Sequence, residues 1–230
     1  VVTYSMPAPI SDFFYACLAR LQTVPVHHSQ KKFTPDQFTR LLRRQFVDPR
    51  LRFHTRINPD IDRNTIGIFG EYRPYEDEDG EPCLHIYFDY PLARKKIDIK
   101  YYDWSTLAYH ISDVIAHEYI HLYHCRRRGY RHGRGYRGKE NLRYRESMQD
   151  YLGCEDEILA YSFNVATEVV VLGKDLAKTV NYRFYRRYFR HDRKIMLKLE
   201  RYAVKYIKQL ERANNEQVNK RTRNHSRRTI

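Results

Sequence analysis

The sequence of 230 residues predicts an α+β fold with a helical, basic C-terminal extension. Three observations carry that reading. Strand-like alternation clusters between residues 65 and 103. Long helical patterns follow at 104–127 and 154–171. Residues 181 to about 213 are helical in pattern, and 181–230 as a whole are rich in Arg and Lys. Apolar residues make up 42 % of the chain, enough for a buried core. The expected organisation is one domain over residues 1–180 and a basic helical extension with a polar tail over 181–230.

The elements follow in order. "SDFFYACLARLQ" at 11–22 reads as a short helix capped by Ser11 or Asp12. A second helix is expected over 34–46, with Thr34 as N-cap and Pro35 in the first turn. "TIGIFGEYR" at 65–73 and "CLHIYFDYP" at 83–91 read as strands joined by the acidic turn 76–81, which predicts a hairpin. Residues 95–103 are a candidate third strand.

Residues 104–127 give the clearest helix. At about 100° per residue, Trp104, Leu107, Ile111, Val114, Ile115 and Leu122 share one face. His110, Asp113, His117, His121 and His124 form a stripe beside it. Glu118 falls inside the apolar arc, where a carboxylate is costly unless a charge or hydrogen-bond donor meets it. Residues 128–150 hold four of the nine glycines and no periodicity, so they read as a long loop. A helix at 154–171 follows. One or two basic helices are expected from 181 to about 213, ahead of a polar tail.

Charge is unevenly placed. The net value is +14, yet residues 1–124 are close to neutral; the excess sits in 125–148 and 181–230. Such blocks meet polyanions or are simply solvated. The cysteines, Cys17, Cys83, Cys125 and Cys154, form no C-x-x-C pair, so a reducing, cytoplasmic setting is expected. The first residues lack the pattern of a secretory signal, and no apolar run suits a bilayer span; no membrane association is expected.

The chemistry concentrates in "DVIAHEYIHLYHC", residues 113–125. His117 and His121 lie four apart on one helix face and can share one metal ion, Zn²⁺ by preference, through imidazole nitrogens. Glu118 sits beside that ion without ligating it, and can take a proton from water. A third ligand is needed. The metzincin pattern would require glycine at position 124 and histidine at 127, where the chain has His124 and Arg127. His124 shares the stripe, but three ligands from one helix surround an ion poorly. An acid from the following helix is preferred, and Glu157 is chosen: with Ala160, Tyr161, Asn164 and Glu168 it makes one face. Glu155, Asp156 and Glu168 compete with it.

"HEYIH" followed by "EILAY" on the next helix, with a hairpin upstream, resembles the gluzincin-type zincin metallopeptidases over residues 65–172. It is similar to the small stand-alone members found in bacteria and phages. The resemblance implies a zincin-like fold, a short antiparallel sheet packed on an active-site helix and a third-ligand helix. It implies His117, His121 and Glu157 as zinc ligands and Glu118 as general base. It also implies that an edge strand, "CLHIYFDYP", binds substrate backbone by strand addition. Gluzincins often show E-x-x-x-D, and position 161 is Tyr161 instead. Tyr151, Tyr161, His124 and Arg143 are candidates for the family's transition-state stabiliser.

The basic segments interleave Arg with Tyr. Arg126, Arg127, Arg128, Arg131, Arg134 and Arg137, with Arg186 and Arg187 further on, are candidates for binding nucleic acid, an acidic partner or a viral assembly. The expected function is therefore a zinc endopeptidase acting on a protein or peptide. The competing reading is a nucleic-acid-associated or virion structural protein on the same fold, with little or no peptidase activity.

Overall fold

The computed structural model describes residues 10–24, 32–46, 48–62, 65–74, 82–91, 96–98, 103–129 and 148–226. The predicted loop at 128–150 therefore lies largely outside the described residues, as do Arg131, Arg134, Arg137 and Arg143. Two units emerge, one of residues 16–130 and one of residues 1–15 with 131–230.

Residues 16–130 hold the sheet. Helix α1 (Ile10–Gln22) enters this unit; Ser11 and Asp12 lie in its first turn, after a start at Ile10. Strand β1 (Lys32–Phe33) leads to α2 (Pro35–Arg43). The predicted cap is present as a full capping box: Gln37 N–H donates to the Thr34 hydroxyl, and Thr34 N–H donates to Gln37 Oε1. Then come β2 (Leu51–Ile57), β3 (Gly67–Arg73), β4 (Cys83–Tyr90), β5 (Ile97–Asp98) and α3 (Trp104–Arg127).

The main sheet has the order β2-β4-β3. The hairpin forms as expected: β3 and β4 pair antiparallel from Gly67↔Asp89 to Arg73↔Cys83. β2 was not anticipated. It pairs parallel with β4, from Leu51↔Leu84 to Ile57↔Tyr90. β4 is thus the central strand and not the edge that the resemblance implied. Its burial agrees, since Leu84, His85, Ile86, Phe88 and Asp89 are all buried. Of the candidate third strand at 95–103, residues 95 and 99–102 lie outside the described residues, and Ile97–Asp98 form β5, which pairs with β1 in a separate two-stranded sheet.

One sheet face packs on helices. Phe38 of α2 meets Phe88 edge-on at 4.9 Å, Phe53 stacks on Phe88 at 6.3 Å, and α3 lies against β3 and β4. The other face is polar. There His54 Nε2 and His85 Nδ1 are 3.0 Å apart, and Arg56 pairs with Asp89 at 2.8 Å.

In the second unit, α4 (Met148–Leu152) occupies the end of the segment read as loop. Helix α5 (Glu155–Leu172) follows, closed by Gly173 at φ +65. That left-handed cap favours glycine. After a 3₁₀ turn at Leu176–Lys178 come α6 (Val180–Tyr188) and α7 (Arg193–Ser226). α7 runs well past residue 213 into the segment read as a tail. It packs along α5, with Phe163 edge-on to Tyr206 at 5.3 Å and Ser162 Oγ donating to the Leu199 carbonyl. Leu152, Ile158, Tyr185, Phe189, Ile195 and Leu199 form the core of this helical layer. No described helix is long and apolar enough to cross a membrane.

Glu168, near the end of α5, is buried and receives four donors. They are Lys174 Nζ at 2.8 Å, Val180 N–H at 2.8 Å, and the Asn181 N–H and Nδ2 at 3.0 and 2.9 Å. Burial works to raise its pKa, but Lys174 and the backbone donors outweigh that and hold it below the usual range. A depressed folded-state pKa contributes stability above the unfolded value near 4.3 and loses it as pH falls through the folded value. Glu168→Gln is expected to cost about 1–3 kcal/mol at neutral pH. In urea titrations that difference should shrink as pH drops below about 4.

Candidate metal centre

α3 begins at Asp103, whose carboxylate accepts from Thr106 N–H. Trp104 Nε1–H donates to the Leu21 carbonyl at 2.8 Å. Behind that anchor Leu107, Ile111, Ile115 and Leu122 are buried, as the periodicity predicts. The helix is therefore held in one rotational setting, which fixes where its polar stripe points. His117 and His121 stand one turn apart, ring centroids 5.0 Å from each other and planes at 64°. Neither is exposed.

α5 starts just after Cys154 and carries Glu155, Asp156 and Glu157 in its first turn, where the helix dipole favours negative charge. Their surroundings differ. Glu155 faces Lys198 at 3.6 Å on the surface. Glu157 is only 6 % exposed. It lies near the Tyr185 phenol, which burial first and the Glu157 carboxylate second push well above its usual range. Tyr185 donates to the Leu152 carbonyl at 2.8 Å, so this wall of the site is fixed by the helical core.

His117, His121 and Glu157 each offer one ligand atom, and these atoms all lie within 4.8 Å of one another. Among the described residues no other trio of His, Cys, Asp or Glu side chains does so. The group can hold a metal ion. Two imidazole nitrogens and one carboxylate oxygen suit a borderline transition metal better than a hard all-oxygen cation. Three protein donors also leave coordination positions open to another ligand. Of the competing acids, Glu168 is engaged with α6 and Glu155 with Lys198. His124 is half-buried, one turn beyond His121.

Glu118 is buried, 6 % exposed, and lies against β3. A Cβ placed on Gly70 would sit 2.7 Å from Glu118 Cδ and closer still to its Cγ and Oε1. The missing side chain at position 70 is therefore what gives this carboxylate its place. Sequence reasoning did not single out Gly70. The signal was there: an isolated glycine inside a strand pattern marks close approach by another group.

Tyr161 is half-buried, its ring stacked on Phe184 at 5.9 Å and tilted against Tyr185 at 5.2 Å. Tyr151, on α4, is 48 % exposed. Arg126 and Arg127 are exposed in the last turn of α3, with Arg128 as its C-cap. Arg186 and Arg187 are exposed on α6. No protein-family model, curated protein or solved structure matches the chain.

The purified chain is expected to bind one equivalent of a divalent transition metal, read by elemental analysis after desalting. His117→Ala and Glu157→Ala should each lower that stoichiometry toward background, while Glu155→Ala should leave it intact.

Proposed function

We propose that this chain is a zinc-dependent peptidase that cleaves peptide bonds in a protein or peptide. The observation that carries the reading is the trio His117, His121 and Glu157 with a buried carboxylate, Glu118, one residue on from the first ligand. His117, His121 and Glu157 would hold the zinc ion. When bound, it supplies Lewis acidity toward a carbonyl and toward water.

The remaining work falls to side chains of this chain. Glu118 is about 100° around α3 from His117, so it stands beside the ligands without joining them. Its carboxylate accepts the proton that an attacking water must lose, then returns it to the departing amine. Gly70 holds that carboxylate in position by leaving room for it. β3 is an edge of the described sheet, packs on α3 and carries Gly70. An extended peptide added to β3 would lie along the strand that touches the base. β3 therefore takes over the substrate-binding role first expected of β4. Tyr151, Tyr161 and His124 stay candidates for stabilising the developing oxyanion.

Glu118→Gln tests the reading directly. It keeps size and metal ligands but cannot accept the proton. Peptide hydrolysis, followed by mass spectrometry of a peptide library, is expected to fall by about 10²–10⁴-fold with metal content unchanged. Wild-type turnover in that variant would remove Glu118 as the base.

Gly70→Ala makes a second test. The added methyl displaces the Glu118 carboxylate, so turnover is expected to drop by roughly 10²-fold while zinc stoichiometry stays the same. Gly67→Ala, on the same strand, meets Phe69 and not Glu118, and should spare the site.

A further inference from the structure

α7 carries Lys194, Lys198, Arg201, Lys205, Lys208 and Arg212 at successive spacings of four, three, four, three and four. At about 100° per residue they fall within an arc of roughly 80°. The buried residues of the same helix, Ile195, Leu199, Ala203, Leu210 and Ala213, occupy a separate arc. The result is a straight row of cations about 27 Å long. Like charges three and four apart on a helix repel, and a merely solvated helix relieves this by alternating signs. Here Glu200 and Glu211 fall off the row; Lys198 already faces Glu155 at 3.6 Å, while Lys194, Arg201, Lys205, Lys208 and Arg212 are exposed.

α6 repeats the arrangement. Arg183, Arg186 and Arg187 are exposed, opposite buried Tyr185, and Arg190 is exposed in the turn that follows. Among the described residues, none of these four arginines forms an ion pair with a carboxylate. At the turn between the helices lies an open pocket of about 710 Å³, lined by Arg187, Arg190, His191, Arg193 and Lys194, with Asp192 also in its wall. Asp192 is already used: its Oδ1 accepts from the N–H groups of Lys194 and Ile195. The pocket and the row thus make one continuous basic surface.

We propose that α6 and α7 bind nucleic acid through its phosphates, without reading base sequence. A regular line of single charges fits a backbone that carries one charge at every residue. Guanidinium groups in the α6 pocket present paired donors to phosphate oxygens. Exposed Leu197 and Val204 beside the row are isolated, too few for the apolar centre that a stable protein interface needs. The proposal stands apart from the peptidase reading and survives its failure.

The test is fluorescence anisotropy with labelled random-sequence single-stranded and duplex oligonucleotides, titrated with the full chain at several salt concentrations. Binding to either form with a log–log salt slope of about −3 or steeper supports the proposal. Neutralising Arg201, Lys205 and Lys208 together to Gln is expected to weaken binding roughly 100-fold at 0.1 M salt and to flatten the slope by about 2–3. The charge-keeping variant Lys205→Arg with Lys208→Arg should bind like the parent, and circular dichroism checks that each variant is helical. Three results overturn the proposal: no binding at low salt, full binding by the neutralised variant, or poly-glutamate competing as well as nucleic acid. The last would reassign the surface to an acidic protein.

Discussion

Burying a carboxylate beside two imidazoles is the constraint on which this architecture turns. Glu157 is 6 % exposed, and its ligand oxygen lies within 4.8 Å of nitrogens from His117 and His121. Desolvating a carboxylate costs several kcal/mol unless a positive charge or a full set of donors meets it. A divalent cation shared by the three side chains would offset that cost. The two supporting frameworks are built accordingly. α3 is held by its buried isoleucines and leucines, and α5 by the Tyr185–Leu199 layer.

The candidate trio His117, His121 and Glu157 was legible in the sequence because helical spacing is short-range. Two histidines four apart must share a helix face, and the acidic first turn of the following helix limits the third donor to a few residues. The helix boundaries at 104–127 and the Thr34 cap were readable for the same reason: local chemistry sets them. The sheet was less readable because strand order is set by long-range pairing. "LRFHTRI" does alternate, with Leu51 and Phe53 buried, but Arg52, His54 and Arg56 make it look like a polar connection. Its parallel partner lies about thirty residues away. The edge role expected of β4 came from the resemblance alone, and β2 overturns it.

Gly70 and Glu118 belong to a third kind of information. Their relation is a vacancy of one methyl group, visible only once β3 and α3 are packed together. The strand tolerates the glycine although it weakens β pairing. The same trade appears at Glu118, placed in an apolar arc where most carboxylates would be excluded. Local rules are broken twice at one spot, which is where functional demands are expected to override stability.

The bonds made by Glu168 reach further than the corner they fill. Glu157 and Glu168 lie eleven residues apart on α5, roughly 16 Å along its axis. Because Glu168 is clamped by Lys174 and by the first turn of α6, α5 can neither slide nor rotate without tearing four charge-assisted contacts. The depth and bearing of the Glu157 carboxylate are thus set from the opposite end of its own rod, as a lever is set by its fulcrum.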